Sequence, residues 1–257
     1  MLAAIGRPFR QSFLELLHVL ALCVHFIAWG MRPFGRPLPE RREFFRRLRQ
    51  ALLGGMLPSL VLGVLIGMGL VFQGITWAGA ADQRGLLATV LVTVLVRELA
   101  PVLIATLILG RSGIAVAADL GALRATGAER ALTLQGVDLV RLYAAPAAVA
   151  QSLSCLTLGI IFVAVALVSG SAFAALLGGQ SEAILGSLND VLRAMSPADV
   201  VIFPAKLLVT GMLVGAVVAH TPLTAPRNTR TSQLLPACFV RGVLAILTSS
   251  VVLSLAV

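Results

Sequence analysis

The sequence predicts an all-α integral membrane protein: an N-terminal amphipathic interfacial helix followed by five transmembrane helices. Three observations carry this. Of the 257 residues, 58% are hydrophobic and only 12% are charged, whereas a soluble domain carries about 25% charged residues. The apolar residues come in blocks, and a helix needs about 20 of them to cross a bilayer core. The basic residues gather between the blocks mostly on one side, as the positive-inside rule requires. Mean hydropathy is +0.98, and the 24 glycines suit helices that pack closely in lipid.

Residues 1–31 hold the interfacial helix. The stretch 12–30 is apolar, but Gln11, Glu15, His18 and His25 fall on one helical face. Its flanks are both basic, with Arg7 and Arg10 before it and Arg32 and Arg36 after it. A spanning helix would put one positive flank outside, whereas an in-plane helix satisfies both observations. A cleaved signal peptide is the competing reading; the internal Glu and His residues and the lack of a clear A-x-A site argue against it.

Residues 32–50 are a basic, Pro-containing connector suited to anionic headgroups, and 51–257 form the transmembrane domain. The first span is predicted over 51–75, with Gly63 and Gly67 in a GxxxG pattern. A polar loop over 76–85 precedes the second span, 86–109, which Arg97, Glu98 and Pro101 interrupt. The stretch 110–142 carries Arg111, Arg124, Arg130 and Arg141. The third span covers 143–173. Residues 174–200 are polar and end in Ser196-Pro197, a helix start. The fourth span, 201–219, has Pro204 and Lys206 near its entrance, and the fifth covers 234–257. Segments 32–50, 110–142 and 220–233 hold thirteen basic residues, and the opposite loops hold Arg84 and Arg193 alone. This asymmetry places the N-terminus in the cytoplasm and the C-terminus outside. No inverted repeat of the kind common in secondary transporters is visible.

Several chemistries lack their apparatus. The chain has no GxxxxGK[ST] loop, and its single lysine, Lys206, follows no Gly-rich stretch, so ATP and its Mg would be held by a separate subunit. No catalytic residues, resident cofactor or metal site are expected: HExxH and GxSxG are absent, and His18, His25 and His220 form no converging set. Cys23, Cys155 and Cys238 lie in apolar stretches and read as packing residues. The net charge of +9 raises nucleic-acid binding, but these charges lie between apolar blocks, and no nucleic-acid partner is expected.

Arg97 and Glu98 fall within the second span, where charges are expensive and serve either function or an interhelical ion pair. Both readings stay open here. Neighbours on a helix point in different directions, so Glu98 has Lys206 or Arg241 of other spans as a partner instead. These four residues are the candidates for a substrate cavity, lined also by the first span.

The run Arg97-Glu98-Leu99-Ala100-Pro101-Val102-Leu103, then Gly110-Arg111-Ser112-Gly113 and Ala117-Ala118-Asp119-Leu120-Gly121, resembles the signature of MlaE-type (YrbE-type) permeases. Gly136-Val137-Asp138 matches that family's GVDP-like turn, and Tyr143 and Pro146 continue in its manner. The resemblance covers roughly residues 40–257. It implies a homodimeric permease of an ABC-type lipid transporter in a bacterial inner membrane. Partners would be a second copy, cytoplasmic ABC ATPase subunits and a periplasmic MCE-domain protein, and the cargo phospholipid or, in some branches, sterol. It also implies a coupling helix for the ATPase between Thr126 and Asp138, with Thr126, Glu129, Arg130, Ala131, Leu132, Gly136 and Asp138 as contact candidates. The mixture of apolar and polar residues there suits a helix laid in a groove.

The chain departs from that pattern at Gly127 and Arg130, where the family has acids, at Leu139 in place of Pro, and in the stretch before the last span. Those departures suggest a divergent system. Two rival readings remain at this level: an ion-coupled secondary transporter protonated at Glu98, and a non-transporting membrane scaffold.

Overall fold

A computed structural model of the chain describes residues 18–19, 21–30, 38–78, 91–178, 195–226 and 231–255, and every element among them is a helix. Five helices are long and apolar enough to cross a membrane. Among the described residues, helix α1 (Ala21–Gly30) is a shorter apolar helix. Its Phe26 and Trp29 enter the core, and the Trp29 indole donates to Glu40 Oε2 at 3.1 Å. Gln11 and Glu15 of the expected polar face lie outside the described residues.

Helix α2 (Leu38–Ala78) is a single 41-residue rod that joins most of the basic stretch to the first span. Pro39 stands in its first turn, where a missing N–H costs nothing. Glu43 then holds Arg46 and Arg47 from the next turn, at 2.7 Å each, which settles neighbouring cations on one helix face.

The second span is longer than its sequence suggests. Helix α3 covers residues 91–125 in four continuous segments: Leu91–Leu99 and Leu109–Gly113 are π-helical, and Ala100–Ile108 and Ile114–Ala125 are α-helical. Gly110-Arg111-Ser112-Gly113 therefore widens the helix without ending it. The Ser112 hydroxyl donates back to the Ile108 carbonyl at 2.9 Å, keeping the ladder closed inside the bundle. After Thr126 come the short α4 (Ala128–Leu134) and then α5, residues 140–178, whose first turn Val140–Ala144 is again π-helical. Helices α6 (Pro197–Thr224) and α7 (Thr231–Leu255) complete the described chain. The expected loops 79–90 and 179–194 lie outside the described residues.

The helices alternate in direction and share one core around Ile104, Ile108, Leu158, Phe162, Leu207 and Val214. Lipid is as apolar as leucine, so contact in such a bundle depends on close packing. Along α2, Gly63 and Gly67 meet the Phe162 and Ala166 carbonyls of α5. A methyl group at Gly67 would collide with that backbone, so the GxxxG pattern here marks a seam within the chain. One end of the bundle, the basic end, carries the start of α2, the α4 segment and the end of α6. The other, the far end, carries the starts of α3 and α6 and the end of α7.

Candidate functional site

The far end buries Asp199 and Lys206. Ser196 caps α6 and Asp199 closes the capping box: Ser196 Oγ accepts from Ala198 N at 3.1 Å, and Ser196 N donates to Asp199 Oδ2 at 2.9 Å. This fixes Asp199, only 2% exposed, and aims it at α3. Arg97 answers it. Its Nη2 donates to Asp199 Oδ2 at 2.9 Å. Its Nε lies 2.8 Å from Oδ1, but that N–H is not directed at an acceptor.

Two turns further along α6, Lys206 is 5% exposed, and its ammonium donates three ways. It reaches Ser254 Oγ of α7 at 2.8 Å, the Arg97 carbonyl at 3.1 Å and Glu98 Oε1 at 3.5 Å. The middle contact has a local cause. Pro101 has no N–H to offer the carbonyl four residues back, and that carbonyl belongs to Arg97. Lys206 thus satisfies a backbone group that the proline leaves open. Glu98, its side chain 48% exposed, also accepts from the Ser254 hydroxyl at 2.6 Å and from Ser250 at 3.5 Å. The cluster joins α3, α6 and α7 and shows one partly open carboxylate to its surroundings.

Of the four cavity candidates, the structure brings Arg97, Glu98 and Lys206 together. Arg241 lies thirteen residues before Ser254 on α7, about 20 Å along the axis, and takes no part. Glu98 pairs with Lys206, one of its two candidate partners. Sequence reading missed Asp199, Ser250 and Ser254. The S-P-A-D start of α6 was the available signal for Asp199, since an acid three residues after a cap serine completes a capping box.

At the basic end the chain does the reverse and turns a helix outward. Gly127 and Gly136 have φ of +74° and +76°, the left-handed region that other residues enter only at a cost. They bracket α4, which has no buried residue. The departure at Gly127 therefore has a backbone reason: it makes the sharp exit from α3. Thr126, Arg130, Ala131, Gly136 and Asp138 are exposed, while Leu132 leans on the core. Asp138 Oδ1 accepts from Val140 N at 2.9 Å and so starts α5. Glu129 faces inward to Arg124 at 3.2 Å. Arg124, which the sequence did not single out, also donates to the carbonyls of Pro222 and, at 3.0 Å, Ala225. It fastens the root of α4 to the end of α6. A second tie, Arg47 to Asp119 at 2.7 Å, binds α2 to α3. His18 stacks on His220 with ring centroids 6.2 Å apart, and burial raises the Cys23 thiol in α1 to about 11, so it is a packing group rather than a nucleophile.

Both ends fall within a segment with known relatives. A family model described as permease MlaE matches residues 44–256. A stretch of 137 residues is 34% identical to the intermembrane phospholipid transport system permease protein MlaE of Haemophilus influenzae. That match covers 52% of this chain and 52% of the relative, so it spans about half the length of the curated protein.

Proposed function

This chain belongs to the MlaE permease family, and from that premise we propose that it is the membrane subunit of an ATP-driven phospholipid transporter. Two copies form the translocation path, cytoplasmic ABC ATPases supply the energy, and an MCE-domain protein on the outer side passes the lipid on. The protein lies in a bacterial inner membrane with its basic end and N-terminus in the cytoplasm and its C-terminus outside. Direction of the basic residues supports this orientation.

The observation that carries the reading is α4. It is a helix with no buried residue, set between two left-handed glycines, resting on the core through Leu132 and presenting Leu134, 89% exposed, outward. A helix so displayed fits a groove on a soluble partner. Movement of α4 reaches Arg124, which grips the end of α6. Helix α6 carries Asp199 and Lys206 at its other end, so a rigid-body shift of one helix changes the far-end cluster. A partly open Glu98 beside Lys206 and Arg97 then meets a zwitterionic or anionic headgroup, the cations serving the phosphate.

The test is a mild-detergent pulldown of the tagged chain, with mass spectrometry of co-purifying proteins and lipids. An ABC ATPase and an MCE protein with bound phospholipid are expected. A chain that purifies without an ATPase, yet moves its cargo in vesicles under an ion gradient, overturns the reading in favour of secondary transport.

A further inference from the structure

Beside the described site, an apolar slot of about 620 Å³ opens between α2 and α3 on the outer face of the bundle. Leu57 and Val61 of α2 form one wall, and Leu103, Thr106 and Leu107 of α3 form the other. Its volume lies in the usual range of ligand pockets, about 300–1,000 Å³. One cation lines it, Arg111. The π-helical turn at Leu109–Gly113 displays this residue. Gly54 of α2 leaves room for it: a Cβ there would lie 2.9 Å from Arg111 Nε and 3.7 Å from Cζ. Two helices therefore shape the mouth around one guanidinium.

No carboxylate neutralises Arg111 among the described residues, because those of the basic end are engaged elsewhere. Glu40 accepts from Trp29, Glu43 holds Arg46 and Arg47, Asp119 holds Arg47, Glu129 holds Arg124, and Asp138 accepts from Val140 N. Depth also fits. Arg111 faces Gly54 of α2, which stands five residues, about 7.5 Å of helix, after Arg49, the last charge of the basic stretch. It thus stands near the headgroup level of the basic-end leaflet, where arginine keeps its charge wet above a buried stem. An apolar slot with an uncompensated cation at its mouth is complementary to an acyl chain and a lipid phosphate.

We infer that this slot binds a phospholipid of the basic-end leaflet, one acyl chain between α2 and α3 and its phosphate on Arg111. The site is separate from the far-end cluster, and the inference rests on the membrane-spanning reading but not on any ATPase. If the protein is a permease, this is where lipid waits at the inner leaflet.

The test uses the purified full chain in nanodiscs containing trace photoactivatable phosphatidylglycerol, phosphatidylethanolamine or diacylglycerol, with crosslinks mapped by peptide mass spectrometry. Both phospholipids are expected to label the 57–62 and 103–107 segments at least five-fold more than diacylglycerol. Arg111→Gln should bring them down to the diacylglycerol level, and Arg111→Lys should keep most of the labelling. Equal labelling by all three lipids on the unaltered protein overturns the inference, and this comparison needs no variant to fold. Absence of labelling, with Val61→Cys joining two copies by a disulfide, overturns it too and assigns the slot to the homodimer contact. Because none of these readouts involves an ATPase, they stand whatever the pulldown returns.

Discussion

The two polar ends of this bundle solve opposite problems. At the far end, charge is drawn inside and answered within the chain: Arg97 by Asp199, Lys206 by Glu98, Ser254 and an open backbone carbonyl. At the basic end, the chain uses its ion pairs to fasten helices together and leaves the outer face of α4 bare. Removing Arg97 from the first arrangement leaves Asp199 as a stranded buried charge. Removing an outward side chain of α4, such as Leu134, leaves the bundle as it was. The difference separates what holds the fold from what faces a partner.

The sharpest way to break the comparison is Lys206→Met. Glu98 is half exposed, so losing the ion pair itself costs little, but the change also removes the ammonium's hydrogen bonds to Ser254 and to the Arg97 carbonyl, which is left without its donor. We expect the largest fall in thermal stability in detergent of any variant considered. Its cause is separable by a second change. Pro101→Ala restores an N–H four residues after that carbonyl, so the double variant should recover about 1 kcal/mol, the worth of one hydrogen bond. If the double variant is no more stable than Lys206→Met alone, the lysine's contact with the backbone is incidental.

Next comes Gly127→Val. Nothing lies near a Cβ placed there, so the loss reflects only the left-handed backbone, about 1–2 kcal/mol. Stability should drop measurably in denaturant or thermal unfolding, and Gly127→Asn should lose less, since asparagine tolerates that conformation. Equal losses for the two would mean that the turn relaxes to another geometry.

How much of this was legible beforehand follows from which interactions are local. Apolar length and charge asymmetry are properties of single segments, so the five spans could be read directly. Glu98 with Lys206 was within reach because charges inside spans are few and must find each other. Asp199 was hidden by its position: it stands at a helix start, where an acid already has a capping role, and its use by Arg97 depends on how α3 and α6 align. The extension of α3 through Gly110-Arg111-Ser112-Gly113 was missed for a related reason. The span was expected to stop at 109, ahead of Arg111, and the neighbouring helices, Val218 of α6 beside Gly113 among them, show why small residues are placed there. Gly127 looked like a departure from a sequence pattern, and only its φ shows it as a turn.

The smallest effect on the fold should come from Leu134→Asp, and it is the most informative about function. Leu134 is 89% exposed and ends a helix that touches the core chiefly through Leu132. A surface change of this kind ordinarily alters stability by less than about 0.5 kcal/mol. An aspartate in a partner's apolar groove, by contrast, would be buried unpaired, which is costly at any contact of this type. The expected result is a protein with the melting temperature of the unaltered chain that no longer retains an ATPase through a mild-detergent pulldown. Leu132→Ala provides the contrast, since it should lower stability before it lowers capture. If Leu134→Asp captures the ATPase undiminished, α4 is not the docking helix, and the outward turn at Gly127 must serve the bundle itself.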